Sequence, residues 1–535
     1  MTDSTEPSDW TPEVAELRRR EGLAHQMGGT EKVERQHRTG KQTVRERIDA
    51  LLDPGSFHEV GALAGKATYD DDGRLASFTP ANFVMGRGRI HGRPVVVGGD
   101  DFTVRGGAAD ASIWAKQVMA ERMAGELRLP LVRLVDGTGG GGSVKSLDMD
   151  RRTYVPFNPG WEVVVSNLAT VPVVALALGS VAGLGAARVV SSHYSVMVRG
   201  AAQVFVAGPP VVARLGEHVD KEQLGGSAIH TRNGVVDDEV ATEGEAFDRA
   251  RRFLSYLPPS VYDVAARQAP SGGRDDASDD PERREEWLIG AIPRDRRKPY
   301  KVRPIIETLA DRSSWFELGR LNGRAAVTGL ARFDGWPVAV LASDPYQYGG
   351  GWTAAASEKV VRFVDLADTF HLPVVHLVDQ PGFVIGTAAE QAGTIRAGAR
   401  ALAAVYQASV PWCSVLLRKV FGVAGAAHQN ASRLSYRYAW PSGDWGSLPL
   451  EGGVEAAFRA QLDDAEADGG FPARAALLDE INQRMNLVRS PFRTAEAFLV
   501  EEIIDPRDTR PLLCEFADLA APLRTPGPTA NGLRP

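Results

Sequence analysis

The sequence carries one long internal repeat. The segment HGRPVVVGGDDFTVRGG, which begins at His91, is matched by DGWPVAVLASDPYQYGG, which begins at Asp334. The offset is 243 positions (91 to 334), and the same offset joins LPLVRLVDG at 129–137 to LPVVHLVDQ at 372–380 without a gap. A repeat of this length indicates two copies of one domain, because short solenoid units recur every 20 to 50 residues or so.

Each copy contains an apolar run that ends in a cluster of glycines and alanines. The first is VPVVALALGSVAGLGAA at 171–187, and the second is VPWCSVLLRKVFGVAGAA at 410–427. A short apolar run rich in β-branched residues predicts a buried strand. The glycines and alanines that follow let another group approach the backbone closely. We call residues 183–186 the first cradle and residues 422–426 the second cradle.

The cradles are candidate sites for binding oxyanions. If a helix begins at each glycine cluster, its first N–H groups have no acceptor within the helix. Fixed N–H donors of this kind stabilise a negative charge that develops on oxygen during a reaction. The strands alternate with helical patterns along both copies, which predicts an α/β fold with crossover connections.

The two copies are joined by a polar segment. Residues 268–287 read QAPSGGRDDASDDPERREEW and contain almost no apolar side chains. Such a composition is typical of a linker. The sequence therefore predicts an N-terminal domain at 1–268, a linker at 269–287 and a C-terminal domain at 288–535.

Composition and charge exclude several classes of function. The net charge of −7 gives no reason to expect nucleic-acid binding. The two cysteines, Cys413 and Cys514, are too few for a disulfide framework or a four-cysteine zinc site. No His, Asp or Glu cluster has the spacing of a metal site.

The N-terminus lacks a signal-peptide core, so we expect a cytoplasmic protein. The apolar stretch 168–187 is long enough to cross a membrane, but we reject that interpretation because its counterpart carries Arg418 and Lys419.

Several polar residues were weighed as candidates for catalysis. A structural role is favoured for His428, His193 and His230. A role as general base is possible for Glu390 and Asp379, but a turn or cap role is favoured for Asp379 because its counterpart Asp136 ends the matching strand. The glycine string that follows Asp136, at 137–143, is either a loop over a ligand or a plain linker.

The chain resembles the carboxyltransferase (beta) subunits of biotin-dependent acyl-CoA carboxylases, the propionyl-CoA and methylcrotonyl-CoA group. The resemblance runs from about residue 45 to 512 and rests on the motifs RERIDALLDPGSF (45–57), AGPP with QLGGSAIHT (207–231), FLSYLP (253–258), ASEKVVRFVDLAD (356–368), VDQPGF (378–383), EQAGTIRAGAR (390–400), RKVFG (418–422) and DPRDTR (505–510). It implies two tandem crotonase-like domains, each with a ββα superhelix core. It also implies a hexamer of beta subunits that works with a separate alpha subunit, the biotin carboxylase and biotin carrier.

The resemblance also implies the roles of the cradles. The first would face the thioester of an acyl-CoA, and the second the ureido group of biotin. The candidate catalytic donors are the N–H groups of four residues: Leu184, Gly185, Val423 and Ala424. The candidate substrate-binding residues are Gly183, Ala186, Gly422, Gly425 and Ala426. No biotin-acceptor sequence of the Ala-Met-Lys-Met type is present, so biotin must arrive on another chain.

Two departures from the family pattern keep other functions open. Many relatives place paired glycines where this chain has Gly183-Leu184 and Gly422-Val423. Ala426 stands at a position that shapes the acyl pocket in the family, and its small side chain favours an acyl group longer than acetyl or propionyl. The alternatives are a biotin-independent acyl-CoA decarboxylase or lyase, and a non-catalytic structural beta subunit of a mixed hexamer.

Overall fold

We describe the fold from a computed structural model of the chain. The structure describes residues 9–108, 112–137, 151–153, 155–268, 279–530 and 532–533. The chain divides into two compact units, Met1–Asp263 with Gly532–Pro535, and Val264–Asn531. Part of the predicted linker and most of the glycine string after Asp136 lie outside the described residues. The predicted domain boundaries therefore stay a prediction.

The first unit is built around one mixed sheet. Its described strands are β1 (His58–Glu59), β2 (Gly65–Tyr69), β3 (Leu75–Pro80), β4 (Phe83–Ile90), β5 (Arg93–Asp100), β6 (Leu131–Val135), β7 (Val173–Ala177), β8 (Ser180–Ala182), β9 (Tyr194–Val198), β10 (Gln203–Phe205) and β11 (Asp238–Val240). Its described α-helices are α1 (Thr11–His25), α2 (Thr30–Arg38), α3 (Val44–Leu51), α4 (Trp114–Leu127), α5 (Trp161–Asn167), α6 (Leu184–Val190), α7 (Pro209–Val212), α8 (Lys221–Gly225), α9 (Ser227–His230) and α10 (Glu243–Tyr256). The apolar runs of the sequence form the central strands, since every residue of β6, β7 and β9 is buried.

The second unit repeats this arrangement. Its described strands are β12 (Phe316–Leu318), β13 (Ala326–Phe333), β14 (Trp336–Ser343), β15 (Val374–Gln380), β16 (Trp412–Phe421), β17 (Tyr436–Ala439), β18 (Asp444–Gly446) and β19 (Glu502–Ile503). Its described α-helices are α11 (Val302–Leu309), α12 (Ala354–Thr369), α13 (Thr387–Gln391), α14 (Thr394–Gln407), α15 (Gly422–Ala426), α16 (Leu450–Ala457), α17 (Arg459–Val488), α18 (Pro491–Glu496) and α19 (Thr509–Ala520). Helix α17 is kinked at Gly470, which has φ +69°, two residues before Pro472.

The two main sheets share one topology. The first has the order β1-β4-β5-β6-β7-β9-β11, and the second has the order β12-β13-β14-β15-β16-β17-β19. In each sheet the first two pairings are antiparallel and the next four are parallel. The hairpins β4–β5 and β13–β14 lie 243 positions apart at both ends, so the duplication predicted from the repeat is confirmed strand by strand.

The backbone repeats in detail as well. Non-glycine residues with positive φ are uncommon, because the Cβ atom disfavours that region. Three pairs of them recur at the same offset of 243 positions, with φ of 50° at both members of the first pair, 53° and 51° in the second, and 55° and 57° in the third: His91 and Asp334, Arg105 and Tyr348, and Arg128 and His371. These turns are inherited features of one ancestral domain.

The resemblance between the units extends upstream of the aligned repeat. The Asp53 carboxylate accepts hydrogen bonds from the His91 and Gly92 N–H groups at 2.9 and 2.7 Å. In the second unit, the Asp311 carboxylate accepts hydrogen bonds from the Asp334 and Gly335 N–H groups at 3.1 and 2.7 Å. Each carboxylate therefore caps the hairpin turn of its own sheet.

No helix in the described part of the chain is both long and apolar enough to cross a bilayer. The stretch 168–187, which a hydropathy scan would flag, is instead divided among β7, β8 and the start of α6. Its apolar side chains pack into the core of the first unit.

Candidate active site

The first cradle begins at a glycine in a conformation that other residues avoid. Gly183 has φ +59° and ψ −124°, and it precedes helix α6 directly. The first intrahelical bond of this turn runs from the Ala187 N–H to the Gly183 carbonyl at 2.9 Å. No described residue accepts a hydrogen bond from the N–H of Leu184 or Gly185. These two donors are therefore available to a bound group.

The second cradle has the same design. Gly422 has φ +61°, and helix α15 starts there, directly after strand β16. The N–H groups of Val423 and Ala424 likewise have no acceptor in the described part of the chain. The side chain of Val423 is 53% exposed, so this turn lies at the surface of its unit and is not packed into a core.

Both cradles are tightly packed on one side, against a side chain in the first and against backbone in the second. A Cβ atom on Gly185 would lie 2.7 Å from Val181 Cγ1, and one on Gly425 would lie 2.8 Å from the Val420 carbonyl carbon. Real Cβ atoms do not approach other atoms so closely, so these two positions require glycine. Ala186 and Ala424 are buried, whereas Gly183, Gly422 and Ala426 are exposed.

A buried ionic network lies next to the first cradle. Asp136 is fully buried and accepts from Lys41 Nζ at 2.7 Å and from Arg47 at 2.8 Å. Arg47 is also buried and pairs with Glu243 at 2.6 Å. Gly137, the residue after Asp136, places its carbonyl oxygen 3.6 Å from the position of a Cβ on Gly185. The N-terminal helices are thereby tied to the strand end that borders the first cradle.

The corresponding aspartate of the second unit was interpreted wrongly. Asp379 is a buried ion-pair partner, and its carboxylate lies 2.9 Å from Arg418 Nη2. It also accepts a hydrogen bond from the Lys419 N–H at 3.0 Å. Arg418 lies on β16, so this pair joins β15 to β16 where both strands end.

The structure supports a structural role for the three histidines weighed in the sequence. His193 accepts from the Val173 N–H at 3.0 Å and contacts the Leu168 carbonyl at 3.0 Å. His230 contacts the Val204 carbonyl at 2.7 Å. Glu390 lies on α13 with its side chain exposed, and nothing in the structure ties it to the second cradle.

His428 follows the second cradle and is half-buried. Its Nδ1 donates to the Gly425 carbonyl at 2.7 Å. Its own carbonyl accepts three hydrogen bonds, from His376 Nδ1 at 3.1 Å and from Trp412 Nε1 and Ser414 Oγ at 2.8 Å each. Burial lowers the pKa of His376 to about 3 and the pKa of His428 to about 4. Both rings are therefore neutral in the folded protein near pH 7.

These lowered pKa values predict that the protein loses stability in mild acid. A histidine in the unfolded chain has a pKa of about 6.5. Below that pH, His376 and His428 bind protons in the unfolded state but stay unprotonated in the folded state. The free energy of unfolding should fall by about 1.4 kcal/mol per pH unit per histidine between pH ~6 and ~4. Urea titrations over this range measure the slope. His376→Asn should remove one histidine's share, and an unchanged slope in that variant would contradict the assignment.

Sequence reasoning missed the ionic network. Arg47 and Lys41 lie in the charged region 1–50, where the helical spacing of the apolar residues predicts helices that pack on the surface of the domain or on another subunit. A second offset, 258 positions, relates the Arg45–Glu59 ion pair (2.8 Å) to Arg303–Glu317 (2.6 Å), but it places Ile305 opposite Arg47 and so gives no signal for the network itself. Within the described residues, no group of three or more His, Cys, Asp or Glu side chains could hold a metal ion.

Comparisons with known proteins identify the family to which this fold belongs. Residues 35–525 match the carboxyl transferase domain family. The chain is 31% identical over 511 residues to the carboxyltransferase subunit of propionyl-CoA carboxylase from Haloferax mediterranei, covering 95% of each chain. It is 33% identical over 508 residues to the biotin-dependent acetyl-/propionyl-coenzyme A carboxylase beta5 subunit of Mycobacterium tuberculosis, covering 93% of this chain and 90% of the relative.

A solved structure shows the same fold. The transcarboxylase 12S subunit, crystallised as a hexamer with hydrolysed methylmalonyl-coenzyme A bound, matches with a TM-score of 0.83 at 30% identity and covers 98% of this chain and 99% of that one. The duplicated sheets and their exposed main-chain turns thus define an enzyme with the crotonase-like carboxyltransferase fold. The chain belongs to the carboxyl transferase domain family, whose members transfer a carboxyl group.

Proposed function

We propose that this chain is the carboxyltransferase subunit of a biotin-dependent acyl-CoA carboxylase and that its two cradles act as oxyanion holes. Carboxyl transfer of this kind develops negative charge on two oxygens, one on the acyl thioester and one on the ureido group that releases the carboxylate. A chain that stabilises both needs two sets of fixed donors. The observation that carries the proposal is that both units present the same turn, with positive φ at the glycine and N–H groups after it that have no acceptor among the described residues.

The first cradle is assigned to the acyl-CoA. The N–H groups of Leu184 and Gly185 would donate to the thioester oxygen as the α-carbon gives up its proton. Gly183 and Ala186 would shape the backbone on either side. Leucine at 184 keeps the N–H donor, and its side chain leaves the turn exposed, so the departure from paired glycines does not remove the donor.

The second cradle is assigned to biotin. When bound, biotin brings the carboxyl group and offers its ureido nitrogen as the base. The N–H groups of Val423 and Ala424 would donate to the ureido oxygen, which fits a surface turn whose donors have no acceptor in the described chain. Gly422 and Gly425 permit the close approach. Exposed Ala426 leaves space beside this cradle, which favours an acyl group longer than propionyl.

The partners follow from the same proposal. Biotin is carried on a separate alpha subunit that also contains the biotin carboxylase, and the beta chains assemble as a hexamer, either uniform or mixed. Support comes from two relatives, the biotin-dependent beta5 subunit of Mycobacterium tuberculosis and the hexameric transcarboxylase 12S subunit. The boundaries proposed for the two domains, 1–268 and 288–535, assign one cradle to each.

An acyl-CoA panel assay tests the proposal. The purified chain is mixed with a biotinylated alpha subunit, ATP, [¹⁴C]bicarbonate and acyl-CoAs of two to sixteen carbons. We expect acid-stable ¹⁴C in at least one acyl-CoA, and loss of that label when the alpha subunit is omitted. Turnover that does not need biotin would indicate a decarboxylase or lyase. Activity that returns only when a second beta chain is added would indicate a structural subunit.

A further inference from the structure

The C-terminal end of each cradle helix is held by a buried polar side chain from the neighbouring strand. In the first unit this residue is Arg133 on β6, and in the second it is His376 on β15. The two occupy equivalent positions of the repeat, 243 residues apart (133 to 376). Each is 1% exposed, and neither has a role in the mechanism proposed above. Two different side chains at one repeat position therefore make the same kind of contact.

Arg133 holds the first cradle with a charged group. Its Nη1 donates to the Arg188 carbonyl at 2.9 Å and to the Ser191 carbonyl at 2.6 Å, at the end of α6. Its other nitrogens donate to Glu121 at 2.8 and 2.9 Å. Glu121 is itself buried and accepts from Asn167 Nδ2 at 3.1 Å. The guanidinium thus satisfies two carbonyls that the helix leaves without partners, and Glu121 compensates its charge.

His376 holds the second cradle with a neutral group. Its Nδ1 donates to the His428 carbonyl, which also accepts from Trp412 and Ser414. His428 in turn binds the Gly425 carbonyl through both its backbone N–H, at 3.1 Å, and its Nδ1, at 2.7 Å. Gly425 lies within the second cradle. His428 alone therefore links His376 to the cradle: His376 holds its carbonyl, and His428 in turn binds Gly425.

We propose that Arg133 and His376 are equivalent positioning residues, each fixing the orientation of the cradle in its own unit through the end of the cradle helix. The inference rests on the proposed function of the cradles. Helix α6 has seven residues and α15 has five, so either helix is only one or two turns long and moves as a rigid piece. A shift at its anchored end is transmitted to the N–H donors at the other end. A misplacement of about 1 Å can cost about 10²-fold in rate.

The test uses three variants and two independent measurements. His376→Leu removes the donor, whereas His376→Asn keeps an N–H group near the position of Nδ1. The double variant Arg133→Met/Glu121→Leu removes the first anchor without leaving an unpaired buried charge. Hydrogen exchange is measured in the segments 183–192 and 421–430. The kcat and KM for the acyl-CoA are measured in the complete complex with the biotinylated alpha subunit.

We expect His376→Leu to raise exchange at least tenfold in 421–430 and to leave 183–192 unchanged. Its kcat should fall at least tenfold, with the KM for acyl-CoA within twofold, and His376→Asn should restore both quantities. The double variant should raise exchange in 183–192 only.

Exchange that stays unchanged, or that rises alike in both segments, would overturn the inference. A local rise in exchange with full activity would leave the anchor standing and would instead overturn the catalytic role proposed for that cradle. Absence of carboxylation by the unmodified chain would overturn the proposed function, while the exchange measurement would still decide whether the anchors exist.

Discussion

Replacing Val423 with proline is expected to lower kcat for carboxyl transfer by about 10²- to 10³-fold while the chain stays folded. Proline deletes one backbone N–H and changes little else at this position. In the proposed mechanism that N–H donates to the ureido oxygen, and loss of a single oxyanion donor raises the barrier by about 3 kcal/mol. The deleted N–H has no acceptor in the described chain, so no internal hydrogen bond is lost.

The local geometry favours a folded proline variant. Val423 is the second residue of α15, and proline is tolerated in the first turn of a helix because the N–H groups there have no intrahelical partner. The preceding residue is Gly422, which has no Cβ to clash with the proline ring. The side chain at 423 is exposed, so the ring displaces no packed group.

Val423→Ala is the matched control, since it removes the same side chain and retains the N–H. It should keep activity within a few-fold of the unmodified chain. Steady-state assays and circular dichroism on both variants separate loss of the donor from loss of the fold. If Val423→Pro and Val423→Ala turn over at the same rate, the main-chain donor plays no part in the reaction.

Leu184→Pro extends the experiment to the first cradle. Leu184 is the first residue of α6 and follows Gly183, so the backbone arguments for a folded variant apply here too, while its side chain is half-buried and Leu184→Ala serves as the matched control. Here the lost donor is assigned to the thioester oxygen. We expect a similar fall in kcat, with acyl-CoA binding retained in equilibrium dialysis.

The sequence predicted the duplicated architecture because the repeat survives in apolar patterns and turns. The buried strands β7 and β16 follow from the apolar runs, and the positions of the cradles follow from the glycine clusters. These features depend on local physics: strand periodicity, and the backbone freedom of glycine. Local patterns of this kind are visible in a single sequence.

The polar contacts could not be predicted, because they join residues far apart in the chain. Asp136 and Asp379 occupy the same repeat position, and by symmetry one interpretation should serve both. In the structure, Asp136 forms an ion pair with Arg47 on an N-terminal helix, whereas Asp379 forms an ion pair with Arg418 on the adjacent strand. The duplicated domains kept the buried carboxylate and replaced its partner. No periodicity in the sequence records which cation supplies the compensating charge.

The same reasoning applies to the anchors. The arginine at 133 and the histidine at 376 look unrelated in sequence, and a single charged residue in an apolar strand suggests an edge or an error in the strand assignment. The structure shows both side chains buried in the centre of the sheet with their donors directed at backbone carbonyls. Equivalent contacts at equivalent positions become apparent only when both units are compared in three dimensions.

Arg47→Leu is expected to lower the free energy of unfolding of the first unit by about 3–5 kcal/mol. The variant leaves Glu243 buried without its ion-pair partner and leaves Asp136 with Lys41 alone. Removing one partner from a buried pair is costly because the remaining charge stays out of water.

Arg18→Leu is the matched control, since Arg18 forms a pair of 2.7 Å with Glu21 but its side chain is 73% exposed. Surface pairs contribute little, so this variant should unfold at nearly the urea concentration of the unmodified chain.

Urea unfolding followed by hydrogen exchange in β6 and β7 assigns the effect to the first unit. The ionic network contacts the chain directly after both strands, at Asp136 and Leu178. Their protection from hydrogen exchange should therefore fall in Arg47→Leu and persist in Arg18→Leu. Protection of β15 and β16 should not change, because the partners that Arg47 loses, Asp136, Leu178 and Glu243, all belong to the first unit. If both variants unfold at the same urea concentration, then the ionic network does not stabilise the fold. The N-terminal helices would in that case be held by their apolar contacts, which bury Val44, Ile48 and Leu51.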